Sequence, residues 1–111
     1  FLVLAFFCLS IQNDLPQRGR ASYYSNKFEG RKTASGEIFR QKLYTAAHKT
    51  LPFGTMVQVR NLKNDSIIVL KINDRLSNKS HNIIDLSLAG AKYLNFVKNG
   101  FAQVEISKVE K

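Results

Sequence analysis

The chain reads as a mainly β protein: a small closed barrel carrying one or two short helices. Three observations predict this. Two β-rich runs, "TMVQVRNL" and "SIIVLKIN", flank a tight polar turn at residues 63–65, which is the pattern of a hairpin. A last run, "FAQVEISKV", sets Ala102, Val104 and Ile106 against Gln103, Glu105 and Ser107, one apolar face at the period of a strand. Helical period is clear only where Leu88, Ala91 and Leu94 fall on one face behind Ser87, a good N-cap. Roughly six strands in about ninety residues protect their edges best by closing on themselves.

The elements follow in order. Residues 1–11, "FLVLAFFCLSI", carry no charge. A membrane-spanning helix takes roughly 20 residues, so segment 1–12 is expected to be a truncated secretory signal peptide. Cys8, the sole cysteine, ends this run where a lipoprotein signal carries its acylated residue. Acylation there would attach the chain to the outer membrane. The bulky "AFF" before Cys8 favours instead a bystander in a cleaved peptide. Residues 13–18 are polar and turn-rich, and are expected to be a linker, with the folded domain over residues 19–111. "ASYYS" reads as a strand, residues 26–37 as a long loop, and "LYTAAH" as strand or helix. Pro52 and Gly54 mark a turn. The run after the hairpin turn is apolar at nearly every position, so both of its faces are expected to be buried. Asp74 stands two residues past Ile72, at that strand's end. Ile83 and Ile84 read as a short strand, and Asn99-Gly100 as a turn.

Composition narrows the function. Net charge is +9, from 17 basic and 8 acidic residues, which suggests a polyanionic partner or surface. The basic residues are spread along the chain with no interleaved basic-aromatic motif, so no nucleic acid is expected as a partner. Anionic wall polymer or lipid head groups fit an exported chain better. Two histidines and one cysteine, far apart, give no metal-ligand spacing. There is no Gly-rich phosphate loop and no nucleophile elbow. No metal and no cofactor are expected, and a monomer is. With one cysteine there is no intrachain disulfide, which suits a bacterial envelope better than a eukaryotic extracellular space.

What remains for chemistry is Glu37, His48, Asp74 and Asp85, all in loops or beside strand ends. Each has an ordinary explanation. Glu37 follows Ser35-Gly36 and would be solvated. His48 would be a polar edge residue. Asp74 could pair with Arg75 at the surface for roughly 0–1 kcal/mol, although neighbours on a strand point to opposite faces. Asp85 could favour the positive end of the helix that follows it.

Four blocks change the balance. "ASYYSNKFEGRKTASGEIF", "LYTAAHKTLPFGTMVQVRNLKND", "IIVLKINDR" and "NIIDLSLAGAKYL" resemble, in order and spacing, the double-psi β-barrel domain of rare lipoprotein A. The resemblance runs from residue 19 to residue 109. It implies a six-stranded double-psi β-barrel in the bacterial envelope, in the periplasm or at the outer membrane. It also implies a lytic transglycosylase acting on peptidoglycan glycan strands, preferentially those stripped of stem peptides. The catalytic residues it implies are Asp74, Glu37 and His48. Tyr24, Thr33 and Ser35 lie in matching blocks and are expected to line the same groove. Tyr44, Arg75 and Asp85 complete the expected substrate contacts, Tyr24 and Tyr44 as stacking surfaces. The family's Gly-Pro-Phe after the aspartate is replaced by Leu76-Ser77-Asn78, which implies a different loop on that side.

The implied chemistry asks for one carboxyl group that protonates the glycosidic oxygen and later takes a proton back. The sugar's own C6 hydroxyl closes on C1, giving a 1,6-anhydro end. Asp74 is expected to be that group, Glu37 to stabilise developing positive charge or orient substrate, and His48 to bond the sugar or tune the acid. A non-catalytic wall-binding or wall-loosening module, as in the expansins, stays open as the alternative.

Overall fold

The computed structural model describes residues 15–109. The expected signal peptide with Cys8, and residues 13–14 of the expected linker, lie outside the described residues.

Six strands are present: β1 (Gln17–Tyr23), β2 (Thr45–His48), β3 (Met56–Asn61), β4 (Ile67–Arg75), β5 (Ile84–Leu86) and β6 (Ala102–Lys108). Among the described residues one 3-10 turn, Asn26–Phe28, follows β1, and one helix, α1 (Leu88–Tyr93), separates β5 from β6. The strands close into a barrel in the order β1-β5-β2-β4-β3-β6. The β1–β5 and β2–β4 pairs are parallel, and the other four are antiparallel. This is a six-stranded barrel of the double-psi kind.

Strand period builds the interior. Val57, Val59, Leu70, Ile72, Ile84, Leu86, Val104 and Ile106 are fully buried, each alternating with an outward neighbour. The β3–β4 hairpin turns where Asp65 donates its N–H to the Asn61 carbonyl at 2.7 Å. Asp65 takes φ 62° there, a left-handed conformation that aspartate tolerates better than most residues. Helix α1 starts at Ser87, whose hydroxyl accepts the Gly90 N–H at 3.3 Å. A Cβ on Gly90 would lie 3.1 Å from Leu86 and 3.3 Å from Leu70, so glycine lets the helix lie close on the barrel.

Two expectations change and one open alternative is settled. β1 begins at Gln17, because Gln17 and Arg18 pair with Ile106 and Glu105 and belong to the barrel wall. "TAAH" is a strand, buried along its whole length between β4 and β5. The outer face of β4 is not buried, since Ile67 and Val69 remain exposed while Ile68, Leu70 and Ile72 fill the core. Along this stretch of β4 nothing covers the outer face, whatever its composition.

Replacing the fully buried Ser87 with alanine removes the cap of α1. Ser87→Ala is expected to cost about 1 kcal/mol, read as a lower urea midpoint with an unchanged slope.

Candidate active site

The register of β2 against β4 decides where the acid points. Ala46 faces Ile72, but Ala47 faces Asp74, so Asn73 is an extra residue in β4. Without this bulge Asp74 would share the inward parity of Leu70 and Ile72 and aim at the core. One added residue reverses the side. Asp74 therefore stands on the outer face beside Ala47, and Ala47 in turn pairs with Asp85 of β5. Asp85 pairs with Ser22 of β1. Four adjacent strands thus contribute one row: Asp74, Ala47, Asp85, Ser22. Alanine between the two carboxylates leaves a depression, a groove of about 270 Å3 whose lining includes Tyr24, Phe28, Ala47, Asp74, Arg75 and Asp85.

Asp74 is held by three donors. Its Oδ2 accepts the Tyr24 hydroxyl at 2.6 Å. Its Oδ1 accepts the N–H of Ala34 at 2.8 Å and that of Arg75 at 2.9 Å. No ion pair among the described residues includes Asp74. The Arg75 side chain turns elsewhere: its guanidinium donates to the carbonyls of His48 (2.9 Å) and Leu51 (2.8 Å) and lies 4.3 Å from the Phe53 ring centroid. An adjacent acid and base thus serve separate ends.

The Tyr24 ring stacks on Phe39, with centroids 4.1 Å apart, and meets Phe28 edge-on. One ring face is therefore already covered, and the phenol works as a hydrogen-bond donor to Asp74 rather than as an open stacking surface. Burial, and then the Asp74 carboxylate, push the phenol's pKa well above its ordinary value.

Glu37, Thr33 and Ser35 belong to the loop that carries Ala34 to the acid. Thr33 Oγ1 bonds the Ser35 hydroxyl at 2.9 Å and the Glu37 carbonyl at 3.1 Å, and the Ser35 N–H reaches the Asn73 carbonyl at 3.3 Å. Glu37 itself meets Lys71 at 2.7 Å and the Asn73 amide at 3.0 Å. Lys71 first, and Asn73 second, hold its carboxyl below the usual glutamate range. Glu37 is thus an anion beside the bulge, suited to orienting or charge stabilisation and not to donating a proton.

His48 has the inward parity opposite Ala47 and is only 4% exposed. Its Nδ1 accepts the N–H groups of Thr50 and Leu51, both at 3.1 Å, which leaves Nε2 to donate to Gln17 Oε1 at 3.0 Å. The ring fixes the turn whose carbonyls hold Arg75. Tyr44 lies outside the groove lining, edge-on to Tyr93 with centroids 6.3 Å apart.

The sequence matches the lytic transglycolase family over residues 16–106. The chain belongs to this family, the RlpA-like double-psi β-barrels. It is 49% identical over 92 residues to a probable endolytic peptidoglycan transglycosylase RlpA of Treponema pallidum, covering 83% of this chain and 29% of that protein. It is 46% identical over 92 residues to the endolytic peptidoglycan transglycosylase RlpA of Pasteurella multocida, covering 83% of this chain and 31% of that protein. The chain thus spans about a third of the length of these curated relatives. Among solved structures, a Streptomyces papain inhibitor superposes with TM-score 0.63 at 21% identity, covering 83% of this chain and 96% of the inhibitor. A mutant Clavibacter michiganensis expansin in complex with cellohexaose superposes with TM-score 0.65 at 16% identity, covering 86% of this chain and 51% of the expansin. At such identities the likeness is one of fold.

Several members of this RlpA-like groove carry no signal in the sequence read residue by residue. The Ala34 N–H, the small Ala47, and the Ser22 and Asn82 that bond Asp85 Oδ1 at 2.7 and 3.1 Å become visible only once the strands are in register. The Leu76-Ser77-Asn78 substitution has a structural outcome. Leu76 is nearly buried against the groove, its N–H bonds the His48 carbonyl at 3.2 Å, and the loop closes with Ser80 N–H on the Ser77 carbonyl at 3.0 Å.

Two titrations check these electrostatics. By NMR, Glu37 is expected to titrate below an ordinary glutamate and to move up in Lys71→Met. Its folded-state pKa is depressed, so the pair's contribution is present above the ordinary glutamate pKa and is lost as pH falls. Being half exposed, the pair adds at most about 1 kcal/mol. For Tyr24 the shift is upward, so its contribution is full below about pH 10 and is lost as pH rises further. An ultraviolet titration should find one of the four tyrosines resisting ionisation, and Tyr24→Phe should remove that component.

Proposed function

We propose that this domain is a peptidoglycan lytic transglycosylase of the bacterial envelope. Its reaction cleaves the bond between N-acetylmuramic acid and N-acetylglucosamine on peptide-stripped glycan strands, leaving 1,6-anhydro ends. The observation that carries this reading is the Asp74 carboxyl group, presented on an open groove by a bulge, held by Tyr24 and two backbone N–H groups, and engaged in no ion pair with a described residue. Family membership and the names of the relatives support it.

In this reading protonated Asp74 gives its proton to the bridging oxygen as the C1–O bond breaks. The C6 hydroxyl oxygen bonds to C1, and its proton returns to Asp74, so no water is consumed. Tyr24 fixes the carboxyl group, and the phenol, held protonated, never competes as an anion. Glu37, outside the groove lining and tied to Lys71 and Asn73, acts on the developing positive charge from behind the bulge, as a positioning and electrostatic group. Asp85, steadied by Ser22 and Asn82, accepts a sugar hydroxyl. Thr33 and Ser35 hold the loop that delivers Ala34. His48 is a positioning residue for the turn behind Arg75. Tyr44, outside the groove lining, receives no sugar contact. Outer-membrane attachment would follow from acylation of Cys8, which lies outside the described residues.

The second reading is an expansin-like module that binds wall glycan without cutting it. The remodelled loop at Leu76, packed against the groove, favours it. One experiment separates the two. The chain and its Asp74→Asn variant are incubated with sacculi and with amidase-stripped glycan, and 1,6-anhydro ends are counted by mass spectrometry. Asp74→Asn is expected to lose at least about a hundredfold in product while still pelleting with glycan. A folded native chain that pellets with glycan and yields no anhydro ends would establish the binding module instead. A variant as active as the native chain would remove Asp74 from the mechanism.

A further inference from the structure

The row of outward residues does not stop at Ser22. Ala21 pairs with Ala102, so Phe101 stands where the next position would face Ser22 across β1 and β6. Phe101 is 52% exposed, and the Arg20 guanidinium lies over its ring, 5.7 Å from the centroid. Arg20 also reaches back toward the groove: its Nε donates to Asn82 Oδ1 at 2.7 Å, and Asn82 Nδ2 donates to Ser22 and Asp85 at 2.9 and 3.1 Å. Beyond Phe101 opens a second concavity, about 600 Å3, whose lining includes Lys63, Lys98, Asn95, Asn99, Phe101 and Gln103. Its floor is firm. The Asn61 and Asn64 amides both donate to the Leu94 carbonyl, at 2.8 and 3.2 Å, and tie the hairpin turn to the end of α1. No carboxylate lines it, and no ion pair among the described residues uses Lys63 or Lys98.

We infer that this concavity is a distal subsite for a carboxylate-bearing saccharide, continuous with the groove along Asp85, Asn82, Arg20 and Phe101. The inference rests on the glycan reading above. From Asp74 to Phe101 the track crosses four interstrand spacings, about 19 Å of curved sheet, which calls for a strand and not a single sugar. Phe101, half exposed with the Arg20 guanidinium over its ring, presents apolar surface for a sugar. Lys63 and Lys98 supply positive charge in no ion pair among the described residues, and the acid in the same turn, Asp65, is engaged by Arg60 at 2.7 Å, which suits the lactyl carboxylates of peptide-stripped muramic acid. Asn95, Asn99 and Gln103 add amide donors and acceptors for hydroxyl and acetamido groups.

The test compares the chain with Lys63→Gln/Lys98→Gln, with Phe101→Ala, and with a charge control, Lys42→Gln/Lys108→Gln. Affinity is measured for amidase-stripped glycan strands and for a neutral chitooligosaccharide. The Lys63/Lys98 variant is expected to bind stripped strands about fivefold more weakly and the neutral oligosaccharide unchanged. Phe101→Ala should weaken both. Anhydro-end formation at saturating glycan should be unchanged in the charge control, Lys42→Gln/Lys108→Gln. Wild-type affinity for stripped strands in the Lys63/Lys98 variant would overturn the inference, as would equal losses on both glycans or an equal loss in the charge control. Because the affinities are read as binding, a chain that proves unable to cut glycan still decides this subsite.

Discussion

One extra residue in β4 sets the side on which the chemistry lies. Asn73 breaks the register between Ala46–Ile72 and Ala47–Asp74 and turns an aspartate that parity would bury toward solvent. The same residue is buried and sends its amide to Glu37, so the bulge and the neighbouring loop support each other. The rest of the groove depends on this reversal. Tyr24 and the Ala34 N–H meet Asp74 only because its carboxyl group leaves the barrel.

Around Asp74, rigidity comes from the groups packed and bonded behind it. The Phe39–Tyr24–Phe28 ring cluster holds the phenol, the Thr33–Ser35 contact holds the loop, and the His48 ring holds the turn that secures Arg75. Hydrogen bonds to fixed backbone N–H groups need little reorganisation when charge changes at a carboxyl group, which is the general basis of preorganised catalysis. The groove's carboxyl groups are a local exception in a chain of net charge +9.

How much of this the sequence announced depends on how local each signal is. The hairpin, the Ser87 cap and the alternation of β6 are written in neighbouring residues, and the structure has them. The position of Asp74 at a strand's end was legible for the same reason. Its direction was not, because the bulge is defined against β2, far along the chain. The outer face of β4 was misread, since Ile67 and Val69 are apolar whether or not anything covers them. Arg18 looked like linker because its partner, Glu105, is 87 residues away. His48 could be found as a site-associated residue from the family blocks. Its bonds to the N–H groups of Thr50 and Leu51 depend on how that turn folds back on the ring.

The contacts that make the groove span the chain: Ala34 to Asp74 is 40 residues, Tyr24 to Asp74 is 50, and Ser22 to Asp85 is 63. Closing loops of this length costs entropy before any contact rewards it, so such topologies fold slowly compared with helical bundles. A half-folded chain holds the acid but none of the partners that aim it. The Asp74 site is therefore assembled at the same step as the barrel. In a chain still threading or unfolded the Asp74 groove does not exist, so any property of the groove reports directly on completed folding.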